Sequence, residues 1–145
     1  MGGTENMSND YAVFRYADVL LMKAEALWRI SNSATDAAAL ALVNQVRARA
    51  GVPNLTTLDG KLSFDVTGPS VAGGELFNEM GRELAFEHFR RQAMIRWGVY
   101  TQVNKWALPH NNLGDIIVTD AKTLLFPVHK DKLAANPNLI QNPGY

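Results

Sequence analysis

Between residues 12 and 50 apolar side chains return every three or four positions, and this periodicity constrains the fold more than any other feature of the chain. Ala17, Leu20, Leu21, Ala24, Leu27 and Trp28 form one stripe of a helix predicted over 12–30, with Asp18, Lys23 and Arg29 largely off it. Ser31-Asn32-Ser33 breaks the pattern. Ser33, with Asp36 three residues on, supplies an N-terminal cap for a second helix over 33–50. Gly51 suits the position just past a helix end, and Pro53 prevents continuation. The result is one antiparallel helical hairpin of tetratricopeptide length. A single hairpin cannot bury its own faces, because stacked units of this kind need roughly three or more repeats. The sequence therefore asks for partners it does not contain, and self-association through the uncovered faces is expected.

Residues 1–11 are polar and Asn-rich and read as an irregular lead-in. Residues 54–74 carry Thr, Asp, Gly and Pro and read as a loop, after which a long third helix is predicted over 75–97, ended by Gly98. Leu84, Ala85 and Phe86 are consecutive, so that helix is apolar over more than one face and belongs at the centre of the fold. Gly81 inside it costs about 1 kcal/mol against alanine, which implies close approach of another helix. From 98 to 145 the chain reads as a coil-rich tail wrapped over the helices. Short strands are predicted at 115–119 and 123–128, and one helical turn at 130–135, stopped before Pro137. The fold class is mainly α.

Charge is balanced, with 14 basic and 14 acidic residues, which gives no footprint for nucleic acid. No apolar run reaches about 18 residues, so no spanning helix is predicted. The absence of cysteine removes disulfides, thiol nucleophiles and cysteine-based metal sites. The first residues lack the charged start and apolar stretch of a signal peptide. The expectation is a cytosolic chain or one that begins inside a longer protein. His88, His110 and His129 have no ligand spacing, and no dinucleotide or phosphate-loop fingerprint appears. No cofactor is expected. Glu79, Glu83 and Glu87 recur every four residues on one helix, about 6 Å apart, close to the roughly 5–5.5 Å of retaining glycosidases. Catalytic carboxylates flank a cleft rather than line one helix face beside arginines. Pairing of Glu79 with Arg82, and of Glu87 with Arg90 or Arg91, is the better reading.

Three blocks, in order, carry a resemblance. The first is Phe14-Arg15-Tyr16-Ala17-Asp18-Val19-Leu20-Leu21-Met22-Lys23-Ala24-Glu25-Ala26, with Asn44-Gln45-Val46-Arg47-Ala48-Arg49-Ala50-Gly51 after it. The second is Glu79-Met80-Gly81-Arg82-Glu83-Leu84-Ala85-Phe86-Glu87, continuing to Arg96-Trp97-Gly98. The third is Phe126-Pro127 and the terminal Asn136-Pro137-Asn138-Leu139-Ile140-Gln141-Asn142-Pro143-Gly144-Tyr145. Together they resemble the C-terminal part of SusD/RagB proteins, and residues 12–145 read as that domain. The chain departs from the family pattern at Met80, Ala93, His129 and Lys132.

The resemblance implies a helical, tetratricopeptide-like scaffold in a non-enzymatic, cell-surface lipoprotein of the outer membrane. Such proteins hold an oligosaccharide or other nutrient and deliver it to a SusC-like TonB-dependent transporter. Tyr100 and Trp106 are the candidate glycan contacts, since aromatic faces stack on sugars. Met80 stands where the family often carries Arg, so Glu83 lacks a helical basic neighbour. A buried carboxylate needs a partner, and Glu83 is expected to pair with Arg15, Arg47 or Arg49, in a structural polar network that also includes Glu87. Two rival readings are a generic tetratricopeptide-type interaction scaffold and a glycoside hydrolase.

Overall fold

The computed structural model describes residues 12–63, 65, 68–102 and 120–145. The described residues form helices α1 (Tyr16–Ser31), α2 (Ala37–Arg49), α3 (Gly74–Glu83), α4 (Arg90–Arg96) and α5 (Lys130–Ala135), with a 3-10 turn at Ala121–Leu124. Among the described residues there is one isolated antiparallel bridge, Gly60 to Val71. The fold is mainly α, as expected. The chain divides into two compact units, one ending at Thr57 and the other beginning at Leu58.

The first unit is the predicted hairpin, with both helices starting later than the pattern suggests. Arg15 stays extended, and its carbonyl accepts the N–H groups of Asp18 and Val19, so α1 begins at Tyr16 rather than at 12. Asp18 lies in the first turn, where the helix dipole favours an acidic group. Asn32 ends the helix in the left-handed region at φ 49°, its N–H bonded to the Trp28 carbonyl.

The cap of α2 is Asp36, not Ser33. The Asp36 carboxylate accepts the Ala39 N–H at 2.8 Å, whereas the Ser33 hydroxyl accepts Thr35 N–H at 3.3 Å in a local turn. A carboxylate is the stronger acceptor for a helix-end donor. The Ala39 bond holds the Asp36 carboxyl below its ordinary pKa, with a side-chain bond from Ser31 adding to it. Leu21, Ala24, Ala39 and Val43 are fully buried, with Leu20, Trp28 and Val46 nearly so. Val19, Met22 and Ile30 leave an exposed apolar stripe on the outer side of α1, the uncovered face that a lone hairpin must have. After α2 the chain is clamped back along it. The Asn44 amide accepts from Leu55 N–H at 2.7 Å and donates to Leu55 C=O at 3.0 Å.

In the second unit the loop before α3 closes the helix N-terminus. The Leu58 carbonyl accepts from Glu75 and Leu76 N–H, and the Asp59 carboxylate accepts from Gly73 N–H at 2.8 Å. A Cβ at Gly74 would collide with the Gly60 carbonyl, so glycine is what lets the loop lie this close. The buried Asn78 amide repeats the Asn44 device. It accepts from Ser63 N–H at 2.8 Å and donates to Lys61 C=O at 2.7 Å.

The single helix expected over 75–97 is instead two. The chain leaves α3 at Leu84 and turns through Phe86 (φ 64°) and His88 (φ 66°) before α4 begins. The reason lies in what the turn brings together. Arg90 sits 3.9 Å from the Phe77 ring centre and donates to the Phe77 carbonyl at 3.1 Å. A straight helix would hold those residues about 20 Å apart. The same reversal packs Ala93, Met94 and Val99 with Phe77 and Leu62, and sets the Trp97 ring 5.3 Å from that of Phe77. Leu84 is buried, while Phe86 points fully into solvent. The apolar run therefore does not mark a helix buried all round.

Two predictions arise here. Gly81 does accommodate a close neighbour, and that neighbour is the Arg90 guanidinium, which a Cβ would displace. Burial also lowers the pKa of Arg90, so its anchorage on Phe77 matters. Gly81→Ala should cost about 1 kcal/mol in the native background, and gain about 1 kcal/mol once Arg90 is alanine. Urea midpoints of the four proteins test this, and a Gly81 effect of the same sign in both backgrounds would refute it. Second, His88 carries a side chain in a conformation that glycine adopts without strain. His88→Gly should add about 0.5–1 kcal/mol, read as a higher melting temperature. A lower one would mean the imidazole contributes more than the backbone strain costs.

Gly98 closes α4 in the left-handed region at φ 69°, with Val99 N–H bonded back to the Met94 carbonyl. The strand expected at 123–128 is a 3-10 turn followed by extended chain. Asp120 caps the Lys122 N–H and nucleates the turn. The extended part pairs with side chains rather than with a strand. Gln141 clamps both backbone groups of Val128, Asn142 donates to Phe126 C=O, and the Tyr145 hydroxyl donates to Leu125 C=O at 3.1 Å. The helical turn at Lys130–Ala135 is present as expected. The strand expected at 115–119 lies outside the described residues.

Candidate functional site

The α1–α2 hairpin opens a groove of about 430 Å³ between the start of α1 and the end of α2. Helical spacing builds it. Ala17 and Leu20 from α1 and Val46 from α2 make an apolar floor, each within a turn of residues that pack the hairpin. Gln45 and Arg49, four apart on α2, share one side of the rim, and Arg15 and Tyr16 form the other. Tyr16 is 69% exposed. The size lies within the range of small-molecule sites, about 300–1,000 Å³. An apolar floor under an aromatic face, an amide and guanidinium donors offers both contact for C–H surfaces and hydrogen bonds to hydroxyl or acidic oxygens. Among the described residues no carboxylate lines it.

The candidate residues from the sequence separate. Arg15 and Arg49 meet at this groove. Arg47 does not line it; its Nε donates to the Pro53 carbonyl at 2.7 Å and ties the loop after α2 to the helix. Glu83 is the last residue of α3 and Glu87 lies in the turn beyond it, both half-buried. Arg82 pairs with Glu79 at 2.7 Å, as its spacing suggests, and also reaches Glu75 at 3.5 Å.

Tyr100 stands at the junction of α4 and the tail. The Arg91 guanidinium lies 5.1 Å from the Tyr100 ring and 4.5 Å from the Phe126 ring. It donates to the Thr123 and Leu124 carbonyls at 2.8 and 3.1 Å, and its Nε donates to the Tyr100 hydroxyl. The Tyr100 ring also packs on the second unit's core. Trp106 lies outside the described residues. Among the described residues no group of three metal-ligating side chains comes together, and no helix is long and apolar enough to cross a membrane.

Tyr16 and Gln45 are the site residues that sequence reasoning missed. Their signal was available, since Tyr16 follows Arg15 at the head of a helix and Gln45 lies one turn before Arg49. In the sequence both stand inside the family motif, where spacing alone does not mark them as surface.

Comparison with known proteins gives a consistent picture. The profile of the SusD family matches residues 1–145. The chain is 28% identical over 138 residues to the starch-binding protein SusD of Bacteroides thetaiotaomicron, covering 94% of this chain and 22% of that protein. It is 31% identical over 150 residues to the SusD-like protein P25 of Formosa agariphila, covering 97% and 26%. The crystal structure of a SusD homolog from Bacteroides thetaiotaomicron superposes with a TM-score of 0.63 at 29% identity, over 91% of this chain and 26% of that one. The chain thus spans about a quarter of the length of these relatives.

Proposed function

This chain belongs to the SusD family, and from that premise we propose that it serves nutrient capture at the outer membrane, binding a glycan reversibly and without cleaving it. The observation that carries the reading is the polar-rimmed groove of the first unit, set in a chain similar to a starch-binding protein. Tyr16 offers a face to a sugar ring, and Gln45, Arg15 and Arg49 offer donors to its oxygens. Two carboxylates facing each other across a cleft would favour hydrolysis. Glu75 and Glu79 instead share Arg82 on one helix, a structural use of acidic groups. The natural recipient of the ligand is a SusC-like TonB-dependent transporter, which places the protein on the cell surface.

Affinity electrophoresis tests the reading. Migration of the protein should be retarded in gels that contain the right polysaccharide, and Tyr16→Ala should relieve the retardation severalfold with the melting temperature unchanged. Unaltered migration across starch, xylan, pectin and mannan would contradict it.

A further inference from the structure

We propose that residues 121–145 form a strap that opens from α4 as one body, with Arg91 as its pin. The strap is tied within itself. Gln141 holds the N–H and the carbonyl of Val128 at 2.7 and 3.0 Å, and the Asn142 amide donates to the Phe126 carbonyl at 2.6 Å. The Tyr145 hydroxyl, 3.1 Å from the Leu125 carbonyl and 3.3 Å from that of Lys122, closes the last residue onto the start of the strap. The Lys122 ammonium lies 5.5 Å from the Tyr145 ring centre. Gly144, at φ 90°, sits so near that a Cβ there would meet the Lys122 Cβ at 2.9 Å. The junction with α4 is built differently. None of residues 120–145 is buried, and Phe126 and Ile140 are 72% and 83% exposed. The described hydrogen bonds between α4 and the strap come from one side chain. Arg91 donates to the Thr123 and Leu124 carbonyls at 2.8 and 3.1 Å, and its guanidinium lies 4.5 Å from the Phe126 ring centre. The Arg91 Nε donates to the Tyr100 hydroxyl, and the Tyr100 ring packs on the core, so the pin itself is anchored. Local opening costs least where few apolar contacts are buried. Bonds within the strap outnumber those to the pin, so losing the pin leaves the strap's own structure standing. Opening frees the donors of Arg91 and uncovers the side of α4 on which the strap lies. The proposal is independent of what the protein binds.

Native-state amide hydrogen exchange, followed by nuclear magnetic resonance across a series of low urea concentrations, is the test. The amides of Leu125, Val128 and Asn142 are bonded to the Lys122 carbonyl and, for the last two, to the Gln141 side chain. They should share one opening free energy, below that of the Phe77 and Ala93 amides in the helices. Arg91→Gln should speed exchange at all three by at least about tenfold, the effect of losing bonds from a charged donor, and leave Phe77 and Ala93 unmoved. Gln141→Ala should instead speed Val128 and Asn142 more than Leu125, because it loosens the strap and not the pin. Strap amides that open at three unrelated free energies, or that exchange only together with Phe77 on global unfolding, would overturn the proposal. So would exchange that Arg91→Gln leaves unchanged. The urea series on the unaltered protein keeps the test decisive should either variant fold poorly.

Discussion

Replacing Phe77 with alanine is expected to lower the stability of the second unit by about 3–5 kcal/mol, the range for emptying a large aromatic site in a core. Phe77 is fully buried and is the residue on which that unit converges. Leu62 from the loop, Ala93 and Met94 from α4, Val99 beyond it and the tilted Trp97 ring all pack around it. Arg90 stacks on its face. Truncation opens a cavity lined by residues from three segments, and it strips the guanidinium of the ring that makes its burial tolerable. Because folded domains are stable by only about 5–15 kcal/mol, the loss should bring the unit close to unfolding. Urea denaturation followed by near-ultraviolet circular dichroism is the measurement. A shift below about 1 kcal/mol would mean that Phe77 does not organise this core.

Asn78→Asp should cost about 3 kcal/mol at neutral pH, and that cost should depend on pH. Asn78 is 4% exposed, and its amide nitrogen donates to the Lys61 carbonyl. Aspartate replaces this donor with a carboxylate oxygen facing a carbonyl oxygen, and places a charge where water cannot reach it. The bond from Ser63 N–H to the other oxygen survives. Since the charged form is the one disfavoured in the fold, the introduced carboxyl has a folded pKa above its unfolded value of about 3.9. The penalty is full above the folded pKa and fades as pH falls towards the unfolded one, where the protonated acid can donate to Lys61 C=O again. Asn78→Ala loses both bonds and should show no such recovery. If the two variants have parallel pH profiles, the amide clamp is not what holds the loop to α3.

The hairpin was legible in the sequence because its determinants are local. Leu21, Ala24 and Trp28 repeat at helical spacing, and Asn32 and Gly51 stand at the ends where left-handed residues occur. The break between α3 and α4 was not legible for the opposite reason. Between Gly81 and Gly98 there is neither glycine nor proline, and the turn is made by Phe86 and His88, residues that avoid positive φ on their own. Contacts made only after the chain has reversed, Arg90 on Phe77 above all, outweigh local preference there. The amide clamps were equally hidden. Asn44, Asn78 and Gln141 grip backbone 11 to 17 residues away, and one-dimensional spacing carries no trace of such a bond. Of the candidate site, Arg15 and Arg49 were visible as basic residues in the two stretches of the first block. Only the antiparallel return of α2 along α1 sets them on one rim with Tyr16 and Gln45.

The most direct test of the account is to hold the protein with an oligosaccharide it binds and follow both partners. Calorimetry should show a saturable heat, while chromatography of the same solution should return the sugar at its original length after prolonged incubation. Shorter sugars accumulating in proportion to protein would contradict capture without chemistry.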